Sequence, residues 1–98
     1  MVEVHLSRRA YADLAEIDAH GAAQFGDAAA DAYQESFDRA FERLSAYPRI
    51  GEAKPDYGEG IRSLVCGRHL ILYRIAGDIV QIACVLHHSQ DASRHLPQ

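Results

Sequence analysis

The amino-acid sequence predicts an α+β fold, β-α-α-β-β-β in order, with a helical hairpin packed on a small curved, mainly antiparallel sheet. Three observations support this prediction: a short alternating segment at the start, two long amphipathic segments after it, and three β-rich segments joined by Gly-X pairs. Because 98 residues suit one hydrophobic core, we expect a single domain over residues 1–98.

The first strand and the first helix are predicted from the N-terminal residues. Residues 2–6 alternate apolar and polar side chains, which is the period of a half-buried strand. Ser7 follows at a position suited to a helix N-cap, and Ala10, Leu14 and Ile17 then recur at helical spacing. The chain should therefore pass directly from a strand into a helix at Ser7.

The second helix gives the strongest periodic signal in the sequence. We expect Gly26 to end the first helix and Asp27 to cap a second helix over roughly residues 28–47. The apolar face of this segment consists of Tyr33, Phe37, Ala40, Phe41, Leu44 and Tyr47. Two helices joined by so short a turn are expected to form an antiparallel hairpin.

Three strands are predicted after a loop that contains two prolines and three glycines. They are the segments IRSLVC, HLILYRI and IVQIACVLH, separated by Gly67-Arg68 and Gly77-Asp78. Such pairs suit two-residue type II′ hairpins, because glycine adopts the positive φ of the first turn position without strain.

Strict alternation along the last strand determines its expected faces. The residues expected on the face that the helices cover are Val80, Ile82, Cys84 and Leu86. His87 is expected on the opposite face. The side chains expected to be buried together in the core are Phe37, Phe41, Leu44, Leu72, Ile82 and Leu86.

Two adjacent histidines, His87 and His88, end this strand, and we expect no metal site there. Adjacent strand residues point to opposite faces, and no further ligands stand at zinc-site spacing. No nucleophile–base pattern or nucleotide-binding glycine motif occurs, so no cofactor, metal or catalytic residue is predicted. Cys66 and Cys84 lie in apolar stretches without CxxC spacing, and both are expected to be buried free thiols.

Charge is distributed unevenly along the chain. Residues 1–60 carry twelve acidic and six basic side chains, whereas residues 61–98 carry two acidic and four basic ones, for a net charge of −4. Because phosphate contacts supply most of the affinity for nucleic acids, so few cations argue against autonomous nucleic-acid binding. No apolar run reaches bilayer length and no signal-peptide layout opens the chain, so we expect a cytoplasmic protein without membrane contact.

Four stretches together resemble the ParE branch of the RelE/ParE superfamily of type II toxins. They are LSRRAYADLAEI, YQESFDRAFERLSAYPRIG, IRSLVCGRHLILYRI and VLHHSQD, which occur in the family's order and spacing over nearly the whole chain. The resemblance implies the helical hairpin and small sheet already predicted. It also implies a bacterial toxin that is bound by a cognate, ParD-like antitoxin in a hetero-oligomer.

The resemblance implies one of two mechanisms, since RelE-branch members cleave mRNA on the ribosome and ParE-branch members inhibit DNA gyrase by binding. Cleavage of RNA requires cations at the reacting phosphate and a proton donor for the leaving oxygen. Arg62 matches one basic residue of the RelE branch, but Ser89 stands in place of its key arginine, and His95 lies near the position of its terminal tyrosine. The resemblance therefore favours non-catalytic gyrase inhibition, with ribosome-dependent mRNA cleavage as the alternative.

The candidates for contacting the target are basic residues of the C-terminal half. They are Arg62, Arg68, Arg74, His87 and Arg94. ParE-branch members often carry an arginine after the last strand, where this chain has Ser89 and Gln90. The alternative interpretation of the five candidates is a solvated basic rim without a binding role.

Overall fold

The computed structural model describes residues 1–88, and its architecture is the predicted one. Strand β1 spans Glu3–Leu6, helix α1 spans Arg8–Phe25 and helix α2 spans Asp27–Ala46. Four strands follow, β2 at Glu52–Ala53, β3 at Ile61–Cys66, β4 at His69–Ala76 and β5 at Ile79–His87. The two-residue β2 and a 3-10 turn at Pro55–Tyr57 lie in the stretch that the sequence predicted as a loop.

The five strands form one sheet in the order β1-β5-β4-β3-β2. β1 runs parallel to β5, and the other three pairings are antiparallel. Both predicted hairpins are present, with Gly67 at a φ of 59° and Gly77 at a φ of 63°. Within the described part of the chain only glycines have a positive φ, so Arg68 and Asp78, the second central residues of the turns, do not. A positive φ at the first central position alone is typical of a type II′ turn.

The helix ends follow from a serine and a glycine. Ser7 caps α1 as predicted, because its Oγ accepts a hydrogen bond from the backbone N–H of Ala10 at 3.0 Å. Gly26 both ends α1 and caps α2, with a φ of 92° that favours glycine. Asp27 was predicted to cap α2 but is its first residue, where its carboxylate complements the positive end of the helix dipole.

The helices pack on one face of the sheet and enclose the main hydrophobic core. The largest fully buried side chains are Phe37, Leu44, Ile71, Tyr73, Val80 and Ile82. Phe41, predicted as a core residue, is only partly buried against this cluster. Removal of this apolar surface from water is the main stabilising contribution to the fold.

A β-bulge interrupts β5 and changes its alternation. Leu72 of β4 lies opposite Cys84, whereas the next residue, Tyr73, lies opposite Ile82. Ala83 is therefore the extra residue of β5, and two residues of that strand oppose one position of β4. From Cys84 onward, each side chain of β5 lies on the face opposite to the one that strict alternation predicts.

The bulge overturns part of the predicted core. Cys84 and Leu86 belong to a second apolar cluster on the sheet face away from the helices, together with Leu72. Val85 and His87 instead lie on the helix side. The predictions that the helices cover Cys84 and Leu86 and that His87 points away from them were wrong, because an inserted residue shifts a period-two pattern by one position. Leu72 was also predicted on the helix side, but it lies between Ile71 and Tyr73 in β4, which face the helices, and so it points to the other face.

The two cysteines occupy different faces of the sheet. Cys66 lies in the helix-covered cluster and Cys84 in the second cluster, and both are buried free thiols as predicted. Burial raises the pKa of the Cys84 thiol, so this side chain stays protonated near pH 7. Across residues 1–88, neither helix is long and apolar enough to cross a membrane.

Candidate docking groove

The C-terminal half of β5 forms an edge of the sheet next to α1. β1 pairs with β5 only as far as Ile82, and β5 continues beyond it. Ser7 donates hydrogen bonds to two carbonyls there, from its N to Ile82 O at 3.0 Å and from its Oγ to Ala83 O at 2.7 Å. Asp13 accepts a third hydrogen bond, from Val85 N to its Oδ2 at 2.9 Å. The backbone and side chain of Ser7 and the side chain of Asp13 thus satisfy part of the β5 edge where β1 ends.

Asp13 is a structural residue of the groove wall that the sequence did not predict. It lies beside the apolar stripe of α1, three residues after Ala10 and four before Ile17. An acidic side chain next to a core stripe needs a hydrogen-bond partner, and this was the signal in the sequence that could have identified it. Its carboxylate is mostly shielded from solvent and also pairs with Arg9 at 3.6 Å. These contacts fix the direction of β5 relative to α1.

A groove of about 1570 Å³ runs between the edge of β5 and the helical hairpin. Its walls are α1, the first turns of α2, the β3–β4 turn and the C-terminal half of β5, and it continues to Tyr57 and Leu72 on the other sheet face. Apolar side chains such as Ile17 and Phe25 alternate along it with polar ones such as Glu16. A surface of this form suits an amphipathic peptide segment.

Two histidines lie together in the wall of the groove. His69 and His87 are opposite each other on β4 and β5, with ring centroids 5.2 Å apart and ring planes at 89°. The hydroxyl of Tyr33 lies 2.7 Å from His69 Nδ1 and accepts a hydrogen bond from Arg68 N at 3.0 Å. Burial first, and then His87 and His88, lower the pKa of His69 to about 4. The His69 ring is therefore neutral at pH 7.

The histidine pair does not by itself make a metal centre. Within residues 1–88 no three His, Cys, Asp or Glu side chains are grouped to hold a metal ion. A structural zinc site takes four ligands, and the pair offers two imidazoles. The pair places two hydrogen-bonding imidazole rings in the groove beside an exposed arginine, Arg68.

The predicted target-contacting residues do not form one cluster. Arg68 and His87 both line the groove. Arg62 lies on the helix side of β3, where its Nη1 donates to Gly51 O at 2.8 Å. Arg74 is exposed on the opposite face, and its Nη2 donates to Glu59 O at 3.3 Å. The sequence-predicted residues Ser89, Gln90, Arg94 and His95 lie outside the described residues.

Sequence comparisons match this chain to one family over most of its length. The model of the family described as ParE toxin of type II toxin-antitoxin system, parDE, matches residues 4–92. Toxin ParE1 of Caulobacter vibrioides is 33% identical over 96 residues, covering 98% of this chain and 99% of that protein. Toxin ParE1 of Mycobacterium tuberculosis is 35% identical over 92 residues, covering 93% and 94% of the two chains.

Two solved structures have a similar fold. A chain of the chromosomal ParDE TA system from P. aeruginosa superposes with a TM-score of 0.78 at 22% identity, covering 89% of this chain and 96% of that one. A chain of the toxin-antitoxin complex RelBE2 from Mycobacterium tuberculosis gives a TM-score of 0.58 at 26% identity, covering 88% and 96%. This chain therefore shares its overall fold with both structures.

Proposed function

Because the chain belongs to the ParE toxin family of type II toxin–antitoxin systems, we propose that it inhibits DNA gyrase by binding and that a cognate antitoxin neutralises it. The observation that most supports a binding mechanism is the separation of the described basic candidates. Arg62 and Arg74 lie on opposite faces of the sheet, and Arg68 lies at the β3–β4 turn. Three cations so placed do not converge on one phosphate.

The alternative, cleavage of mRNA on the ribosome, fits this geometry poorly. Stabilising the transition state of RNA cleavage needs preorganised cations at the reacting phosphate and a group that donates a proton. Arg62 already donates to the carbonyls of Gly51 and Arg49, at 2.8 and 3.3 Å. His69, with a pKa of about 4, carries no proton to donate as an imidazolium at pH 7. These residues have the roles of structural hydrogen-bond partners.

We place the antitoxin in the groove between α1 and the edge of β5. The groove offers apolar side chains next to polar ones, which is the kind of surface that an amphipathic peptide segment recognises. Phe25, at the end of α1, is 69% exposed on the groove wall and would be covered by such a segment. The two solved structures compared above come from toxin–antitoxin systems by their titles, which agrees with a protein partner for the groove.

The groove is tested by Phe25→Ala, with Tyr11→Ala as its control. Both are aromatic residues of α1 with similar exposure, 69% and 63%, but Tyr11 does not line the groove. An aromatic anchor at an interface typically contributes more than 1 kcal/mol, so we expect Phe25→Ala to weaken binding of the neighbouring gene's antitoxin about tenfold. If titration calorimetry gives equal affinities for the two variants, the antitoxin does not bind in the groove.

The mode of toxicity is tested by induced expression of the chain in bacteria. Inhibited gyrase leaves damaged, unreplicated DNA, so we expect filamentous cells with an induced SOS response while protein synthesis continues. Immediate arrest of translation, with transcripts cut inside their coding regions, would assign the chain the nuclease mechanism instead. Co-expression of the antitoxin should suppress either phenotype and serves as the control for specificity.

A further inference from the structure

The turn between α2 and β2 presents apolar and cationic side chains to solvent. The segment Tyr47-Pro48-Arg49-Ile50 closes on itself through a hydrogen bond from Ile50 N to Tyr47 O at 3.1 Å. Tyr47 is 70% exposed and Ile50 is 37% exposed, and the side chain of Arg49 is exposed between them. Arg43, in the last turn of α2, is exposed as well. We call Arg43, Tyr47, Arg49 and Ile50 the α2–β2 tip.

Two side chains of the sheet, Tyr73 and Arg62, form hydrogen bonds to the backbone of this turn. The hydroxyl of Tyr73, a fully buried residue, donates to Pro48 O at 2.7 Å and accepts from Gly51 N at 2.9 Å. Arg62 donates to Gly51 O at 2.8 Å and to Arg49 O at 3.3 Å. Burial raises the pKa of Tyr73, so that its hydroxyl remains protonated and able to donate. The backbone of the turn is thus held at three carbonyls, those of Pro48, Arg49 and Gly51.

A turn held in this way is preorganised for binding. Immobilising a loop on association costs affinity, and a loop already fixed by several hydrogen bonds to the protein avoids part of that cost. Tyrosine and arginine are also the residue types enriched at the energetic centres of protein interfaces. The α2–β2 tip combines one tyrosine, two arginines and one isoleucine on rigid backbone.

The charge of the tip contrasts with that of its surroundings. Residues 43–51 contain two arginines and no acidic residue, although residues 1–60 as a whole carry twelve acidic side chains. Positive charge around apolar side chains is complementary to an apolar depression with an acidic rim. Two arginines also supply few phosphate contacts, so nucleic acid is the less suitable partner.

The tip is remote from the groove. Tyr33 lines the groove, and Tyr47 follows it by fourteen residues, which at 1.5 Å per residue is about 21 Å along α2. None of the four tip residues lines the groove. A segment bound in the groove therefore leaves the tip uncovered, and the two surfaces suit two different partners.

We propose that the α2–β2 tip is the surface with which the chain binds its target, by placing Tyr47 and Ile50 in an apolar depression with acidic residues at its rim. This assignment rests on the proposed function, in which the target is gyrase. It transfers the main binding role from the arginines of the sheet to a turn, and it gives Arg62 the role of a positioning residue behind that turn.

The experiment compares the full-length chain and four variants for binding to purified gyrase. Tyr47→Ala and Arg49→Glu alter the tip, and their matched controls are Tyr11→Ala and Arg8→Glu, which change exposed residues of the same types on α1. We expect each tip variant to raise the Kd for gyrase about tenfold or more and each control to leave it within about twofold. Unchanged antitoxin affinity in all four variants shows that they remain folded.

The results that would contradict the proposal distinguish a wrong binding surface from a wrong target. If the unaltered chain binds gyrase and the tip variants bind as tightly as their controls, the tip is not the target surface. If the unaltered chain does not bind gyrase at all, both the proposed function and the partner assigned to the tip fail. If the tip variants instead lose binding to a duplex DNA fragment offered alone, with a steep dependence on salt, the partner is nucleic acid and the assignment is overturned.

Discussion

At the scale of single residues, Tyr33 links the helical hairpin to the sheet. Its hydroxyl lies 2.7 Å from His69 Nδ1, accepts from Arg68 N at 3.0 Å and donates toward Cys66 O at 3.3 Å. The sequence predicted Tyr33 only as part of an apolar face. Its polar atom was not assignable in advance, because the partners are 33 to 36 residues away along the chain.

The neutral His69 should make stability depend on pH. An unfolded histidine titrates near its ordinary pKa of 6.5, whereas folded His69 titrates near 4. Between these values the unfolded chain binds more protons, so stability that is present above pH 6.5 decreases as the pH falls toward 4. We predict that His69→Gln loses less of its stability than the unaltered chain between pH 7 and pH 4.5, measured by urea unfolding.

The control for this measurement is His20→Gln, which alters an exposed histidine of α1. It should retain the pH dependence of the unaltered chain, and it accounts for the carboxylates that also titrate in this range. Identical pH dependence in the His69 and His20 variants would show that His69 is not kept neutral by the fold.

Gly51 is required by the close approach of the turn to the sheet. A Cβ atom at this position would lie 2.5 Å from Tyr73 Oη and 2.7 Å from Ser63 O. We predict that Gly51→Ala lowers the free energy of unfolding by about 1–3 kcal/mol, because neither buried neighbour has room to move. In the control Gly21→Ala the added methyl group meets Ala30 Cβ at 3.7 Å, an ordinary contact, and helix propensity favours alanine. A Gly51 variant as stable as the Gly21 variant would contradict the packing described for the turn.

At the scale of secondary-structure elements, the helix ends and hairpin turns that depend on one or two nearby residues could be predicted from the sequence. Ser7 and Gly26 begin or end helices through their own backbone and side-chain chemistry, and Gly67 and Gly77 adopt the positive φ that their hairpins require. Each of these signals is contained within a few residues of sequence. The helical hairpin and the three main strands followed from them.

The bulge in β5 had no comparable signal. Residues 82–86 are all apolar, so the pattern fits either face and cannot report an inserted residue. The bulge is instead stabilised by Ser7 and Asp13, which bind the backbone of β5 from positions more than 70 residues earlier. The groove was unpredictable for the same reason, since α1 and the end of β5 meet only in the folded chain.

The contact between Asp13 and β5 should therefore contribute measurably to stability. In Asp13→Ala the amide of Val85 loses its acceptor, which for a partly buried donor costs about 1–3 kcal/mol, whereas Asp13→Asn keeps an acceptor oxygen and should cost less. Chemical denaturation gives the energies, and amide hydrogen exchange at Val85 should accelerate most in the alanine variant. Glu16→Ala, an exposed change on the same helix, is the control. Slow exchange at Val85 in Asp13→Ala would show that another group satisfies this amide.

At the scale of the whole molecule, the chain separates its surfaces by position and charge. The exposed face of α2 carries an acidic row consisting of Asp27, Asp31, Glu35, Asp38 and Glu42. The groove adjoins the start of this helix and the α2–β2 tip follows its end. An antitoxin with basic residues beside its groove-binding segment would be steered by the acidic row, while an acidic target would approach the tip.

The central claim is that the chain acts on gyrase by binding, without cleaving RNA. Its most direct test incubates the purified, full-length chain either with gyrase, ATP and plasmid DNA or with ribosomes bound to mRNA. We predict more gyrase-dependent DNA cleavage products, their suppression by the antitoxin, and intact mRNA in the parallel reaction. Cleavage of mRNA at the ribosomal A site that disappears in Arg62→Ala or His95→Ala, with gyrase unaffected, would contradict the claim and show that the chain is a nuclease.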